Sequence, residues 1–263
     1  MHVSEINIYP IKSTKGITLQ SARVDRRGLE RDRRWMLVDQ SGLFISQREA
    51  PRLTLISTEL GKDTIRVNAP GRQNLFIPAQ LAGTDRVSVQ IWDDPVSVVP
   101  GGKEADTWFS EFLGRECCLV YMPDNSLRSV EPEYSLASDI VSLADGFPLL
   151  LISQSSLDDL NARLANPVPM NRFRPNIVVT GSGPFDEDKW KKIRIGNLIL
   201  RIAKPCSRCV TTTVDQATGI QGKEPLATLS RYRNINGNVY FGQNAIPEND
   251  AVINIEDRVE IIT

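Results

Sequence analysis

Short β-rich runs cut apart by Pro, Gly, Asn and Asp recur along almost the whole 263-residue chain, and this rhythm narrows the fold more than any other feature. Residues 3–9 (VSEINIY) alternate and stop at Pro10; residues 34–39, 53–57, 65–67, 87–91 and 96–99 follow as further β-rich runs. Strands this short between tight turns suit a barrel or a strongly curved sheet. One amphipathic stretch interrupts them. Residues 104–113 set Trp108, Phe109, Phe112 and Leu113 on one helical face, with Gly114 placed to stop the helix. Residues 122–138, polar with two prolines, read as a linker or long surface loop, and divide the chain into residues 1–124 and 125–263.

The second part opens with an expected strand at 147–152 feeding a helix. Ser155 and Asp158 suggest its capping box, and Leu157, Leu160 and Leu164 its buried stripe. A strand is expected at 177–180. Hairpin-like runs follow: 193–195 turning at Gly196-Asn197 into 198–202, then 210–214 and 239–241, then 252–255 turning at Glu256-Asp257 into 259–262. The expected class is mainly β with some helix (α+β).

Composition excludes more than it identifies. A formal net charge of −1 gives no bulk electrostatic case for a nucleic-acid polymer or a membrane surface. The longest apolar stretch, FPLLLI, is too short to span a bilayer. MHVSEINIYPIK alternates from the outset and lacks the apolar core of a signal peptide. Four cysteines do not suggest a disulfide framework in a chain of this size. A cytoplasmic protein is expected.

Chemistry concentrates in KPCSRCVTTTVD, residues 204–215. Cys206 and Cys209 admit three uses: a redox dithiol, half of a zinc site, or a single thiolate for another metal. Zinc needs four N or S ligands, yet Cys117 and Cys118 are adjacent and His2 is the one histidine. A thioredoxin-like dithiol needs a following helix, whereas the β-branched run 210–214 predicts a strand. For the third use, Lys204 and Arg208 would keep a thiolate ionised. An idle pair of exposed thiols fits this stretch taken alone.

Candidate anion-binding groups lie elsewhere. The run 23–34 (RVDRRGLERDRR) reads as solvated surface for Arg23, Arg26 and Arg27, but Arg33 and Arg34 lead straight into an apolar strand. Lys12 and Ser13 sit in the turn YPIKSTKG, and NRFRPN places Arg172, Arg174 and Asn176 before another strand. Arginine suits bidentate recognition of phosphate. Neither GxxxxGKS nor GxGxxG occurs, so a nucleotide site lacks its usual signature.

YPIKSTKG, ERDRRWMLVD, ADGFPLLLIS, NRFRPNIVV, KPCSRCVTTTVDQATG and FGQN, in this order, resemble the MOSC-domain family. The likeness extends to its YcbX-type members and to the mitochondrial amidoxime-reducing component type. The resemblance implies an N-terminal β-barrel domain followed by a MOSC β-barrel domain, with a molybdenum cofactor (Mo-molybdopterin) between them. It implies Cys209 as metal ligand and catalytic residue, with Cys206 beside it. Lys12, Ser13 and Arg33 match positions expected to hold the cofactor's anionic groups, and Arg174 and Asn176 further contacts. Asp145, Gly146 and Phe147 would contribute backbone groups, and Ser207, Arg208 and Thr211 would flank the metal ligand.

The implied reaction is reduction of small N-hydroxylated substrates (hydroxylaminopurines, hydroxylamines, amidoximes) to amines. The chain lacks the C-x₄-C-x₂-C spacing of a plant-type iron–sulfur centre. A ferredoxin-like or flavoprotein electron donor acting in trans is therefore expected. Two other classes stay open: a sulfur carrier or cofactor-maturation protein, and a CxxC thiol–disulfide oxidoreductase.

Overall fold

A computed structural model describes residues 1–136 and 138–262. Its largest sheet has nine strands. From one edge these are Val259–Ile261, Lys192–Ile195, Leu198–Ser207, Asn238–Pro247, Leu149–Ser153, Ile177–Thr180, His2–Ile8 and Ile17–Leu19, with Asn234–Ile235 paired onto Asn238–Pro247. Every pairing is antiparallel except Leu149–Ser153 with Ile177–Thr180. A parallel pair needs a crossover, and the helix Gln154–Asn161 supplies it. Ile193, Ile195, Leu198 and Leu200 alternate inward with Val3, Ile6 and Ile8 to form one core.

A second core lies under the smaller sheets. Trp35–Val38, Cys118–Tyr121, Asp94–Pro100 and Val87–Ile91 make a four-stranded sheet, and Ser57–Leu60, Thr64–Asn68 and Leu75–Pro78 a three-stranded one. The helix Lys103–Leu113 packs Trp108, Phe109 and Phe112 against Trp35, Leu37 and Ile65. It ends where Gly114 turns left-handed at φ 68°, as its sequence predicts. The chain is mainly β with three α-helices. Among the described residues the paired strands of the large sheet run from Val259–Ile261 to Ile17–Leu19, and an isolated antiparallel bridge from His2 to Arg258 brings the start of the first strand against the last.

The first 25 residues pair with distant segments as well as with their neighbours in sequence. His2–Ile8 pairs with Ile177–Thr180, and Ser21–Asp25 with Ala251–Asn254. The last two strands therefore form no hairpin with each other: Ala251–Asn254 joins Ser21–Asp25 and Val259–Ile261 joins Lys192–Ile195. Backbone bonds from Glu256 N to Val3 O (2.9 Å) and from Val3 N to Asp257 O (3.0 Å) dock the intervening turn on the first strand.

Several local expectations are corrected. Where 53–57 reads as a strand, Pro51–Leu55 forms a 3-10 turn. Pro51 presets its first φ, and Thr54 Oγ1 donates to Pro51 O at 2.9 Å. The Gln154–Asn161 helix is capped by Ser153 rather than Ser155, its Oγ accepting from Ser156 N at 3.2 Å. Leu164 packs from the turn beyond. A helix at Leu226–Tyr232, unsignalled by any strong periodicity, follows Pro225. Arg27 is buried and donates to Asp124 O and Ser126 O, both at 2.7 Å.

Residues 122–136 form the expected long surface loop, but one anchored by buried groups. Arg128 is buried there and donates to Ser142 O, Ala144 O and Asp145 O, with Asp94 accepting from its Nε. Position 137 of that expected linker lies outside the described residues. No described helix is long and apolar enough to cross a membrane.

Candidate functional site

The strand Leu198–Ser207 runs along Asn238–Pro247 with two register shifts, between Ile202 and Lys204 and between Pro205 and Ser207. Such irregularities re-aim side chains, and here they bring Cys206 and Ser207 to the wall of a cleft. The chain then passes Arg208 and Cys209 into a 3-10 turn, Val210–Thr213, in place of the expected strand. Threonine hydroxyls explain the difference. Thr212 Oγ1 donates to Cys209 O (3.0 Å) and Thr213 Oγ1 to Val210 O (2.8 Å), so local side-chain bonds outcompete β propensity. Cys209 is left exposed, its Sγ 3.3 Å from Thr211 Oγ1. Cys206 is half-buried and accepts from Arg208 Nη1 at 2.9 Å.

The cleft encloses about 150 Å³ and opens at a wide mouth to solvent. Lys12, Ser13 and Arg33 line it from the N-terminal part of the chain. Asp145, Gly146 and Phe147 come from the segment entering the Leu149–Ser153 strand, and Arg174 and Asn176 from the loop entering Ile177–Thr180. Ser207, Arg208, Cys209 and Thr211 complete the set, so all twelve residues that the family resemblance implies for the site line one cleft. Arg34 points away and binds Met122 O and Asp124. Lys15 lines a different cavity. Ser46 and Arg48 also line the cleft, and no motif marks them in the sequence; Asn244, the last residue of FGQN, lines it too.

Charge is lopsided here. Lys12, Arg33, Arg48, Arg172, Arg174 and Arg208 face one carboxylate, Asp145. Lys12 Nζ is buried and donates to Leu143 O at 2.9 Å and Asp145 Oδ1 at 2.5 Å. Burial lowers its pKa to about 8, against the opposing pull of Asp145. Asp145 keeps 68% of its side chain open to the cleft, although protein crowds it at longer range. That crowding opposes its ionisation. Lys12 first, then Arg48 and Arg33, overcome it and hold the carboxyl well below the usual range.

The arginine wall is locked from behind. Asp32, only 1% exposed, accepts from Tyr9 N (2.8 Å), Arg33 Nη1 (2.5 Å) and Asn176 Nδ2 (3.1 Å). Asn176 Oδ1 in turn accepts from Arg33 Nη1 (3.0 Å) and Leu150 N (3.2 Å). Its amide is therefore committed to holding Arg33. The guanidiniums of Arg33 and Arg174 lie 4.2 Å and 4.1 Å from the Tyr9 ring centre. Burial pushes Tyr9 up to about 12 and Arg174 down to about 10. Ser13, Arg33 and Arg174 all hold left-handed φ angles of 70°, 47° and 56°. Such non-glycine conformations cost about 1–2 kcal/mol each and cluster at functional sites.

The donor set fits a multiply anionic group with a soft metal end. Nε of Arg48, Arg172 and Arg208 are buried without an acceptor, and the exposed Cys209 offers one soft ligand. Among the described residues no cluster of three or more His, Cys, Asp or Glu can hold a metal. A metal here would take most of its ligands from a group other than the protein.

The chain belongs to the MOSC family. The chain matches the MOSC N-terminal beta barrel domain over residues 1–116 and the MOSC domain over residues 138–260. Among named relatives, mitochondrial amidoxime reducing component 2 of Bos taurus is 37% identical over 241 residues, covering 88% of this chain and 72% of that protein. Mitochondrial amidoxime-reducing component 1 of Homo sapiens is 32% identical over 278 residues, covering 99% and 82%. The molybdenum cofactor sulfurase of Oryza sativa subsp. japonica is 34% identical over 284 residues, covering 99% of this chain and 33% of its own.

Proposed function

We propose that this protein holds a molybdenum cofactor in the cleft and reduces N-hydroxylated compounds to amines, with Cys209 as the metal's protein ligand and the catalytic residue. One observation carries the reading: an exposed thiol and six cations line a single cleft in a chain whose relatives are named amidoxime-reducing components. When bound, the group supplies the two-electron step by which R–NHOH, two electrons and two protons give R–NH₂ and water. The electrons come from a separate ferredoxin-like or flavoprotein donor.

The chain's own residues bind and orient. Lys12, Arg33 and Arg174 meet the anionic end, where charge-assisted bonds replace those water would make. Asn176 and Asp32 fix Arg33 before anything binds. Cys209 presents its sulfur at the start of a turn that Thr212 and Thr213 hold in shape. Lys12 keeps its proton at neutral pH and stays locked to Leu143 O and Asp145. Phe147, buried in the cleft wall, supplies apolar surface.

A second reading, cofactor maturation with sulfur carried on Cys209, is favoured by the likeness to the rice molybdenum cofactor sulfurase. The deciding measurement is molybdenum and pterin per polypeptide in protein made by a cofactor-competent host. Near-stoichiometric, retained amounts together with reduction of an N-hydroxylated base support the reductase. Transient loading and a persulfide at Cys209 support the carrier. A folded, persulfide-free sample without either component, from a host that makes the cofactor, overturns both.

A further inference from the structure

We infer that Arg48 is a receptor for an oxyanion, phosphate or carboxylate, inside the cleft. The occupants of the cleft are those of the reading above, while the anion chemistry of Arg48 stands on its own geometry. The other five cleft cations are all engaged. Lys12 has Asp145, Arg33 has Asp32 and Arg172 has Asp215. Arg174 donates to Thr14 O at 2.6 Å, and Arg208 donates to Cys206 Sγ and Phe173 O.

Arg48 differs from all of them. Among the described residues its guanidinium has no ion pair and no hydrogen-bond acceptor, and its Nε is sealed from water without a partner. Aromatic rings hold it instead: it lies 4.2 Å from the Trp92 ring centre and 5.7 Å from that of Phe44. Stacking occupies the faces of a guanidinium and leaves its N–H edge free for a planar, two-point partner. A dry donor with nothing to bind costs desolvation energy, so the arrangement suits a group that arrives from the cleft.

The platform beneath Arg48 is firm. Trp92 holds φ 55° in the tight turn between Val87–Ile91 and Asp94–Pro100. Phe44 meets it edge-on, 5.1 Å between centres at 66°. Lys12 Nζ lies 5.2 Å from the same Phe44 ring, so two cations flank it. The neighbouring carboxylate, Asp145, is already taken by Lys12. An oxyanion near this ring would meet Lys12's charge and the open fork of Arg48 together.

Two molecules can bring such a group: the cofactor, through its anionic end, or a substrate that carries a phosphate or carboxylate. Calorimetry of pyrophosphate with cofactor-free protein at neutral pH tests the receptor itself, using wild type, Arg48→Gln and Arg48→Lys. Arg48→Gln should weaken binding about tenfold or more, the scale of one lost charge-assisted two-point contact. Arg48→Lys should recover only part of this, since it restores charge without the fork. Trp92→Ala should weaken binding severalfold by releasing the stacked guanidinium. Wild-type protein that does not bind pyrophosphate, or Arg48→Gln within twofold of wild type, overturns the inference.

The loaded protein separates the sources. Several-fold less pterin in Arg48→Gln identifies the cofactor's anion. Unchanged pterin, with KM raised about tenfold for a phosphorylated N-hydroxylated nucleoside and unchanged for its unphosphorylated form, identifies the substrate's. Wild type that never carries pterin defeats the reading of function, and the pyrophosphate titration still decides Arg48.

Discussion

The two linings of the cleft are built on opposite terms. Around Tyr9, the cations Arg33 and Arg174 are half-buried and stacked, and Asp32 and Asn176 brace Arg33. Around the Leu198–Ser207 strand end, Ser207 and Cys209 stand exposed, and the Cys209 sulfur touches a single threonine hydroxyl. The first arrangement fixes geometry before binding, which suits electrostatic recognition because no reorganisation is needed when the anion arrives. The second leaves a soft donor able to adjust to a bond. Grip and reactivity are thus assigned to separate pieces of chain.

The largest effect should come from the exposed side. Cys209→Ser should abolish molybdenum retention, measured by metal analysis, while Cys206→Ser keeps most of it. Equal loss from both would mean that the two thiols act as a pair, as a dithiol enzyme requires. On the braced side, Asp32→Ala removes a buried carboxylate from beneath the half-buried Arg33 and should cost about 3–5 kcal/mol in denaturant unfolding. Thr211→Val, at the exposed thiol, should change stability by no more than about 0.5 kcal/mol. Similar losses for the two would erase the contrast.

A titration sharpens it further. The folded pKa of Lys12, about 8, lies below its unfolded value of 10.5. Between these values the unfolded chain binds more protons, so Lys12's contribution to folding stability improves as pH rises. Its attraction for anions runs the other way and fades through pH 8. Sulfate affinity should therefore fall severalfold from pH 7 to 9.5, and Lys12→Met should remove the step. An unchanged pH profile in that variant would assign the titration elsewhere. A modest effect is local: Thr213→Val loses one hydroxyl–carbonyl bond in the 3-10 turn and should cost about 1 kcal/mol in denaturant unfolding, between the losses for Asp32→Ala and Thr211→Val.

The strand content was legible because alternation and turn residues are local signals, as the Gly196-Asn197 hairpin shows. The cleft was legible for a different reason: the resemblance named segments far apart in sequence that the fold then brings together. Where both kinds of signal were missing, reading failed. The β-branched residues 210–214 hid the hydroxyl bonds that bend them. The turn at Glu256-Asp257 looked like a hairpin because its docking on Val3 is not a local property. Arg27 read as surface because its acceptors lie about a hundred residues away. Arg48 carried no signal, since its platform and its cleft exist only in the folded chain.

The position of His2–Ile8 between Ile17–Leu19 and Ile177–Thr180 has a bearing on biogenesis. During synthesis this segment can pair on one side almost at once, but its second neighbour is made some 170 residues later. Tyr9, Asp32 and Asn176 join across the same interval. Closing so long a loop is slow, so the arginine wall sets late, after most of the polypeptide exists. Any prosthetic group must then be loaded once the segments from Lys12 to Asn244 have been made, into a pocket whose completion itself reports that distant parts of the chain have folded together.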